Sequence, residues 1–445
     1  MLQTHTLIAG ATGCGKTVAA QVLVEESLIR GVSVIVFDPT AQWTGFLREN
    51  QSKGMLNLYP LFNMKKSDST AFNGNVYLLD NPHEHLEIKK FINPGEITVF
   101  CLHKMTPDQI DMLVETTVKD VFRANLDENS QCKLLIVYDE VHRLLPKFGG
   151  TGRGFIQIER AAREFRKWGV GLVLISQVLS DFVGEIKANI GTEIQMRTRY
   201  ERDLERIRMK YGEDTMKSVV KANVGTGMIQ NAEYNQGRPY FISFRPLLHD
   251  HHRLSDETLE NYAKYNKRIE ELQQLLEDIK EVGVDVFDLN LELGLALDNV
   301  KRGGFDVVEL YLETLEPRIM EERDKLTPTQ KKSIEDIQVK RETELQMLSA
   351  EDESSEPEPP IIKRPSSPPS DEVHDVSEEP EEHSEVVEDR KGIMDILSGI
   401  DRELEGIDLG SKAPQVLGSL KGRRGKRKKI WDKMLKKGEG KSGEK

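Results

Sequence analysis

The sequence predicts an α/β fold: a central, mostly parallel sheet with helices on both faces, followed by a small helical region and a disordered tail. Three observations carry this. Between residues 1 and about 245, short runs of Val, Ile and Leu alternate with stretches of helical periodicity, the rhythm of strands joined by crossover helices. Several of those runs are apolar at nearly every position, so their strands are covered on both faces. From about residue 350 the composition turns acidic and rich in Pro and Ser, and such a segment cannot bury enough apolar surface to offset its ordering entropy.

The strands follow in order. THTLIAG (4–10), VSVIVFD (32–38), ITVFCLH (97–103), KLLIVYDE (133–140) and VGLVLISQ (170–177) are the clearest. TEIQMRT (192–198) adds another, and GMIQNAEY (227–234) with RPYFISF (238–244) reads as a hairpin. TVAAQVLVEESLIR, ending at Gly31, reads as the first helix, with the glycine suited to a position just past its end. These elements make residues 1–250 one domain.

Residues 251–348 form the helical region. Tyr262, Tyr265, Ile269, Leu272, Leu276 and Ile279 recur at three- and four-residue steps, an amphipathic helix that packs on its own neighbours rather than a long coiled coil. Residues 284–300 carry leucines at alternate positions, but Val286, Leu289, Leu293, Leu297 and Val300 also make a helical stripe. A helix is predicted there, then a turn at Arg302-Gly303-Gly304 and a second helix through Tyr311 and Leu315. Residues 349–391 are the acidic linker, and 392–445 hold a short amphipathic stretch (392–407) and the basic run KGRRGKRKK (421–429), seven basic residues in nine.

Composition narrows the class of function. A formal net charge of −13 gives no general electrostatic case for a polyanion partner, so any nucleic-acid surface must be a local patch. Three cysteines leave an odd thiol, the pattern of a reduced, intracellular protein. MLQTHTLIAG has no basic leader region, and no run approaches the ~18 apolar residues of a membrane span. The expected location is cytoplasmic.

The chemistry is concentrated in GATGCGKT. Gly10, Gly15, Lys16 and Thr17 match G-x-x-x-x-G-K-[ST] between a strand and a helix. In that setting the backbone N–H groups of Gly10, Ala11, Thr12, Gly13, Cys14 and Gly15 turn inward around phosphate oxygens at the positive end of a helix. Lys16 neutralises the β- and γ-phosphates and Thr17 ligates Mg²⁺. Cys14 reads as a small filler rather than a redox switch. The second half of such a site is an acidic residue closing a buried strand, and LLIVYDE ends in Asp139-Glu140. Asp139 would hold Mg²⁺ through water and Glu140 would deprotonate the attacking water, a pair suited to hydrolysis. Gln177, closing the next strand, stands where open α/β sheets put their ligands and can sense the γ-phosphate. The fold is thus that of a P-loop NTPase with a RecA-like sheet. The pair suits an ATPase or a GTPase, and since no guanine-specifying N-K-x-D is present, ATP is favoured.

Taken together, HTLIAGATGCGKT, the Asp38 of VIVFDPTAQW, LLIVYDE, AAREFRKWGVGLVLISQ and TEIQMRT resemble, in the same order, the HerA/FtsK superfamily of P-loop ATPases. Its relatives include DNA-translocating motors, viral packaging ATPases and the ATPases of conjugation-type secretion. The resemblance covers residues 1 to about 245 and implies a homo-oligomeric ring, a hexamer, with ATP between subunits and double-stranded DNA through the centre. It further implies that REFRKWG (163–169), similar to the family's R-E-G-R-K-x-G, supplies an arginine to a neighbouring site: Arg166 first, Arg163 second. Arg197 stands where the family often has another arginine. Phe165 replaces the family's glycine, and Gln42-Trp43 replaces an acidic-aromatic pair. The chain starts at the first strand, so neither an N-terminal barrel nor membrane segments of the kinds found in those relatives are expected.

Three functions stay open on these grounds. One is a ring-forming motor that moves double-stranded DNA. Another is an ATPase energising a conjugation, secretion or packaging apparatus, with an unknown protein partner at the C-terminal region. The third is a slow nucleotide-switched scaffold, against which the intact Asp139-Glu140 pair argues. The basic run beside Trp431 can contact phosphates, stay solvated or fold back on the acidic linker. Residues 44–75 and FGGTGRGF (148–155), with Arg153, are candidate pore loops.

Overall fold

A computed structural model of the chain describes residues 4–146, 149–178, 185–231 and 233–354. Among these residues nine strands form one sheet: β1 (Thr6–Ala9), β2 (Ser33–Asp38), β3 (Gly74–Leu78), β4 (Ile97–Cys101), β5 (Leu134–Tyr138), β6 (Val170–Ser176), β7 (Thr192–Met196), β8 (Thr226–Asn231) and β9 (Tyr240–Ser243). Their order is β3-β4-β2-β5-β6-β1-β7-β8-β9. The seven strands from β3 to β7 run parallel, and β8 and β9 add an antiparallel edge. Of these, β3 is the strand that the sequence pattern does not announce. It is short and follows an irregular stretch, and Gly74 opens it because a Cβ there would lie 2.1 Å from the Ile97 carbonyl oxygen on β4.

Alternate residues along the strands feed two cores, which makes three layers. Ile8, Val34, Val36, Val99, Val137 and Ile175 face one side, where α1 (Lys16–Ile29) packs. Leu7, Ile35, Ile136, Leu172 and Leu174 face the other, covered by α3 (Pro107–Arg123) and α4 (Arg153–Glu164). Short helices fill the connections: α2 (Lys53–Leu56), α5 (Glu185–Asn189), α6 (Glu201–Tyr211) and α7 (Glu213–Val220).

The C-terminal helices continue the first core. They are α8 (Asp256–Glu281), α9 (Phe287–Lys301), α10 (Phe305–Asp324) and α11 (Pro328–Ser354). Leu259, Tyr262, Ile269, Leu293, Val300, Leu312 and Ile319 are buried in the same cluster as Val76 and Val99. A buried amide pair locks α8 to β3: Asn75 Nδ2 donates to Asn266 Oδ1 at 2.8 Å, and Asn266 Nδ2 donates to the Val76 carbonyl at 2.8 Å. Residues 284–300, ambiguous by pattern, are helical in α9 because Leu289, Leu293, Ala296 and Val300 all meet this core. Ser255 caps α8 by accepting from Thr258 N, and Thr327 and Gln330 cap α11 reciprocally. The latter helix runs past residue 348, where the acidic segment is expected to begin, because helix-forming residues continue until Pro357. Phe287, Leu291 and Leu295 stay exposed along one face of α9. Among the described residues no helix is long and apolar enough to cross a membrane. The short amphipathic stretch 392–407 and the basic run 421–429 lie outside the described residues.

Candidate nucleotide site

The loop joining β1 to α1 is built as the glycine spacing requires. Gly10 sits where a Cβ would be 2.7 Å from Met196 Cβ and 2.9 Å from Cys14 Sγ. Gly15, the residue before α1, has a φ of 95°, a left-handed conformation that glycine adopts without strain. Neighbouring strands brace the loop: Ala11 N donates to the Arg197 carbonyl at 2.9 Å, and Gly225 N donates to the Cys14 carbonyl at 3.2 Å. Lys16 is buried and its Nζ donates to the Ala11 carbonyl at 3.4 Å, so its charge lies folded against the loop. Thr17 follows in the first turn of α1, half-buried, while Thr12 and Gly13 are exposed at the loop tip. Cys14 is 1% exposed, and burial pushes its thiol up against the opposing charges of Lys16 and Arg197. It fills space, as expected.

Only β6 separates β1 from β5, so the phosphate loop and the acidic pair stand about 10 Å apart across the strand ends. Gln177 caps the intervening strand, and its Nε2 donates to Glu140 Oε2 at 3.4 Å. His142 Nδ1 lies 3.1 Å from the same Glu140 oxygen. Glu140 takes a left-handed conformation, φ 52° and ψ 40°, uncommon for a side-chain-bearing residue and a mark of functional turns.

Asp139 lies deeper. Its Oδ1 accepts from Glu140 N at 2.8 Å and its Oδ2 from the indole Nε1 of Trp43 at 2.9 Å. Burial, then the charges of Asp38 and Glu140, push its carboxyl up to about 7. Asp38, wholly buried at the end of β2, accepts from Thr40 N, Thr40 Oγ1 and Trp43 N, and burial raises it as well. Three carboxylates therefore converge with no cationic side chain bonded to Asp38 or Asp139 among the described residues. A divalent cation suits this donor set, since oxygen ligands of high charge are what Mg²⁺ takes. The cation would also relieve the mutual repulsion that raises Asp139. The carboxylates present fit Mg²⁺.

The three arginines divide. Arg197 lies beside the phosphate loop through its carbonyl. Arg163 and Arg166 are exposed at the end of α4 and in the turn before β6, at the opposite ends of the strands. The charge of Arg166 reaches His5, at the start of β1, whose imidazole is lowered to about 4 chiefly by burial. Seven residues of β6 lie between Arg166 and Gln177, a span of about 20 Å. Neither arginine reaches the site of its own chain.

Several residues here carry no local signal. Trp43 and Asp139 are 96 positions apart in the chain. Glu25, on α1, is fully buried and bonded to Arg245, to His249 Nδ1 at 2.6 Å and to Leu248 N at 2.6 Å. That network ties the helix behind the phosphate loop to the segment after β9. At the start of α4, Asp111 accepts from the N–H groups of Thr151, Arg153 and Gly154, so these amides of the glycine-rich loop are already engaged.

The strand order, the loop and the acidic pair define a P-loop NTPase. Residues 1–119 match the family model described as helicase HerA, central domain. That match covers the N-terminal part of the chain, with the glycine loop, and ends before β5 and the Asp139-Glu140 pair. No curated protein matches the chain. Among solved structures it is similar to the genome packaging NTPase B204 of Sulfolobus turreted icosahedral virus 2 bound to AMPPCP, at 14% identity over 53% of this chain and 95% of that one, TM-score 0.31. VirB4 of Thermoanaerobacter pseudethanolicus is 15% identical over 54% of this chain and 89% of that one, TM-score 0.35. The bacterial conjugative coupling protein TrwBdeltaN70 is 12% identical over 57% of this chain and 87% of that one, TM-score 0.37.

Proposed function

We propose that the protein is a Mg²⁺-dependent ATPase that assembles into a hexameric ring and translocates double-stranded DNA. The observation that carries the hydrolytic part is Glu140, whose Oε2 accepts from Gln177 Nε2 and which stands one strand away from the phosphate loop. Lys16 swings from the Ala11 carbonyl to the β- and γ-phosphates, while the loop amides of residues 10–15 cradle them. Glu140 takes the proton of the attacking water, and Gln177, bonded to Glu140, orients that water beside the γ-phosphate. Mg²⁺, when held by Thr17 and Asp139, supplies charge neutralisation on the phosphates. The assembly part is supported by Arg163 and Arg166, which are exposed at the far ends of the strands from their own site and so suit a neighbour's. A finger supplied across an interface raises turnover by about 10³–10⁵.

A second reading is an ATPase of a conjugation, secretion or packaging apparatus that works through a protein partner. The exposed Phe287, Leu291 and Leu295 on α9 favour a protein contact in the C-terminal helices. Steady-state ATP hydrolysis over a series of protein concentrations, with and without double-stranded DNA, separates the two. The blank is Glu140→Gln, expected to lower turnover by about 10²–10⁴ while keeping ATP binding. Turnover that rises cooperatively with concentration and is stimulated by DNA is the expected result. Hydrolysis indifferent to DNA overturns the translocase and leaves the apparatus ATPase in its place.

A further inference from the structure

Trp43 has two N–H groups, and each is spent on a different carboxylate of the site. Its indole Nε1 donates to Asp139 Oδ2 at 2.9 Å, and its main-chain N donates to Asp38 Oδ2 at 2.8 Å. These acids end β5 and β2, neighbouring strands. The tryptophan itself is 0% exposed. Its ring stacks on Phe46 with centroids 5.7 Å apart, and Phe46 stacks on His249 at 3.6 Å. His249 in turn bonds Glu25 on α1. The indole is therefore fixed from behind by packing that reaches the helix of the phosphate loop.

We propose that Trp43 is a positioning residue for the metal: its indole N–H sets the orientation of the Asp139 carboxylate, and with it the affinity for the cation that accompanies ATP. The inference rests on the ATP site described above. With Oδ1 held by Glu140 N and Oδ2 by the indole, Asp139 has one rotamer in which both oxygens keep a lone pair for the cation's water shell. Partners that orient a metal-holding carboxylate typically change metal affinity by about 10- to 100-fold when removed. A merely structural tryptophan would instead act through its ring, and the two roles come apart experimentally.

The test is Trp43→Phe, which keeps a ring and removes the indole donor, beside Phe46→Leu, which weakens the stack and keeps the donor. Mn²⁺ affinity of the full chain with bound ADP, read by electron paramagnetic resonance, is compared with ADP affinity in EDTA. Trp43→Phe is expected to weaken Mn²⁺ binding about 10-fold or more and to leave metal-free ADP binding unchanged, with Phe46→Leu near wild type. Unchanged Mn²⁺ affinity in Trp43→Phe overturns the inference, as does an equal loss in Phe46→Leu. Should Trp43→Phe fail to fold, a chain carrying Trp168→Phe and Trp431→Phe leaves Trp43 as its one tryptophan. Its emission should then shift on adding Mg²⁺ to the ADP complex, and an unmoved spectrum overturns the inference. A wild-type chain that binds no ADP overturns the ATP-site reading as well.

Discussion

At the scale of single residues, Asp139 is where burial and charge work hardest against each other. A folded-state pKa of about 7 stands well above the ordinary carboxylate value, because the charged form is desolvated and faces Asp38 and Glu140. The folded protein therefore binds this proton more tightly than the unfolded chain does. The stability it contributes is present below about pH 4 and is lost as the pH rises through about 7. In metal-free protein, the melting temperature of wild type should thus fall between pH 5 and pH 8 more steeply than that of Asp139→Asn, whose side chain carries no charge. Melting curves at stepped pH check this, and Mg²⁺ with ATP should erase much of the difference by pairing the carboxylate. Lys16 is the complementary case. Lys16→Ala should abolish ATP binding measured calorimetrically without lowering the melting temperature, because its single bond to the Ala11 carbonyl is long, at 3.4 Å.

At the scale of elements, α1 joins chemistry to architecture. Its first turn carries Lys16 and Thr17 directly after the glycine loop, and its last two turns hold Glu25 and Glu26 against Arg245. Glu25 is fully buried with Arg245, His249 and two main-chain N–H groups as partners. Removing one member of a buried ionic network strands the others, which costs about 3–5 kcal/mol. Glu25→Ala should be destabilising by that order in chemical denaturation. Arg245→Ala should cost less, since Glu25 keeps its other donors. Such a change would also loosen His249 and Phe46, which support Trp43.

At the scale of the whole molecule, the sheet sorts the arginines. Parallel strands put Gly10, Asp139 and Gln177 at their C-terminal ends, and the end of α4 with the turn before β6 puts Arg163 and Arg166 at the N-terminal ends. A single chain then holds an incomplete site on the proposed reading, and completion needs a neighbour. Mixing inactive Glu140→Gln with inactive Arg166→Ala checks this. If the arginine acts across an interface, mixed rings recover hydrolysis, since one variant lends its arginine to the other's acid pair. No recovery above either variant alone removes Arg166 from that role and moves attention to Arg163.

Much of the fold was legible in the chain because its signals are local. The glycine spacing forces a turn, the apolar runs force buried strands, and the three- and four-residue steps of Tyr262 to Ile279 force a helix. The same holds for the phosphate loop and for Asp139-Glu140, whose chemistry lies in consecutive residues at a strand end. What only the tertiary structure decided is pairwise and distant: Trp43 against Asp139, Glu25 against His249, Asn75 against Asn266. No propensity or period encodes these, because each partner looks ordinary in its own neighbourhood and acquires its role when strand order brings the other within 3 Å. Even β3 falls in this class, since its short GNVYL run becomes a strand only through the β4 edge beside it and α8 above it.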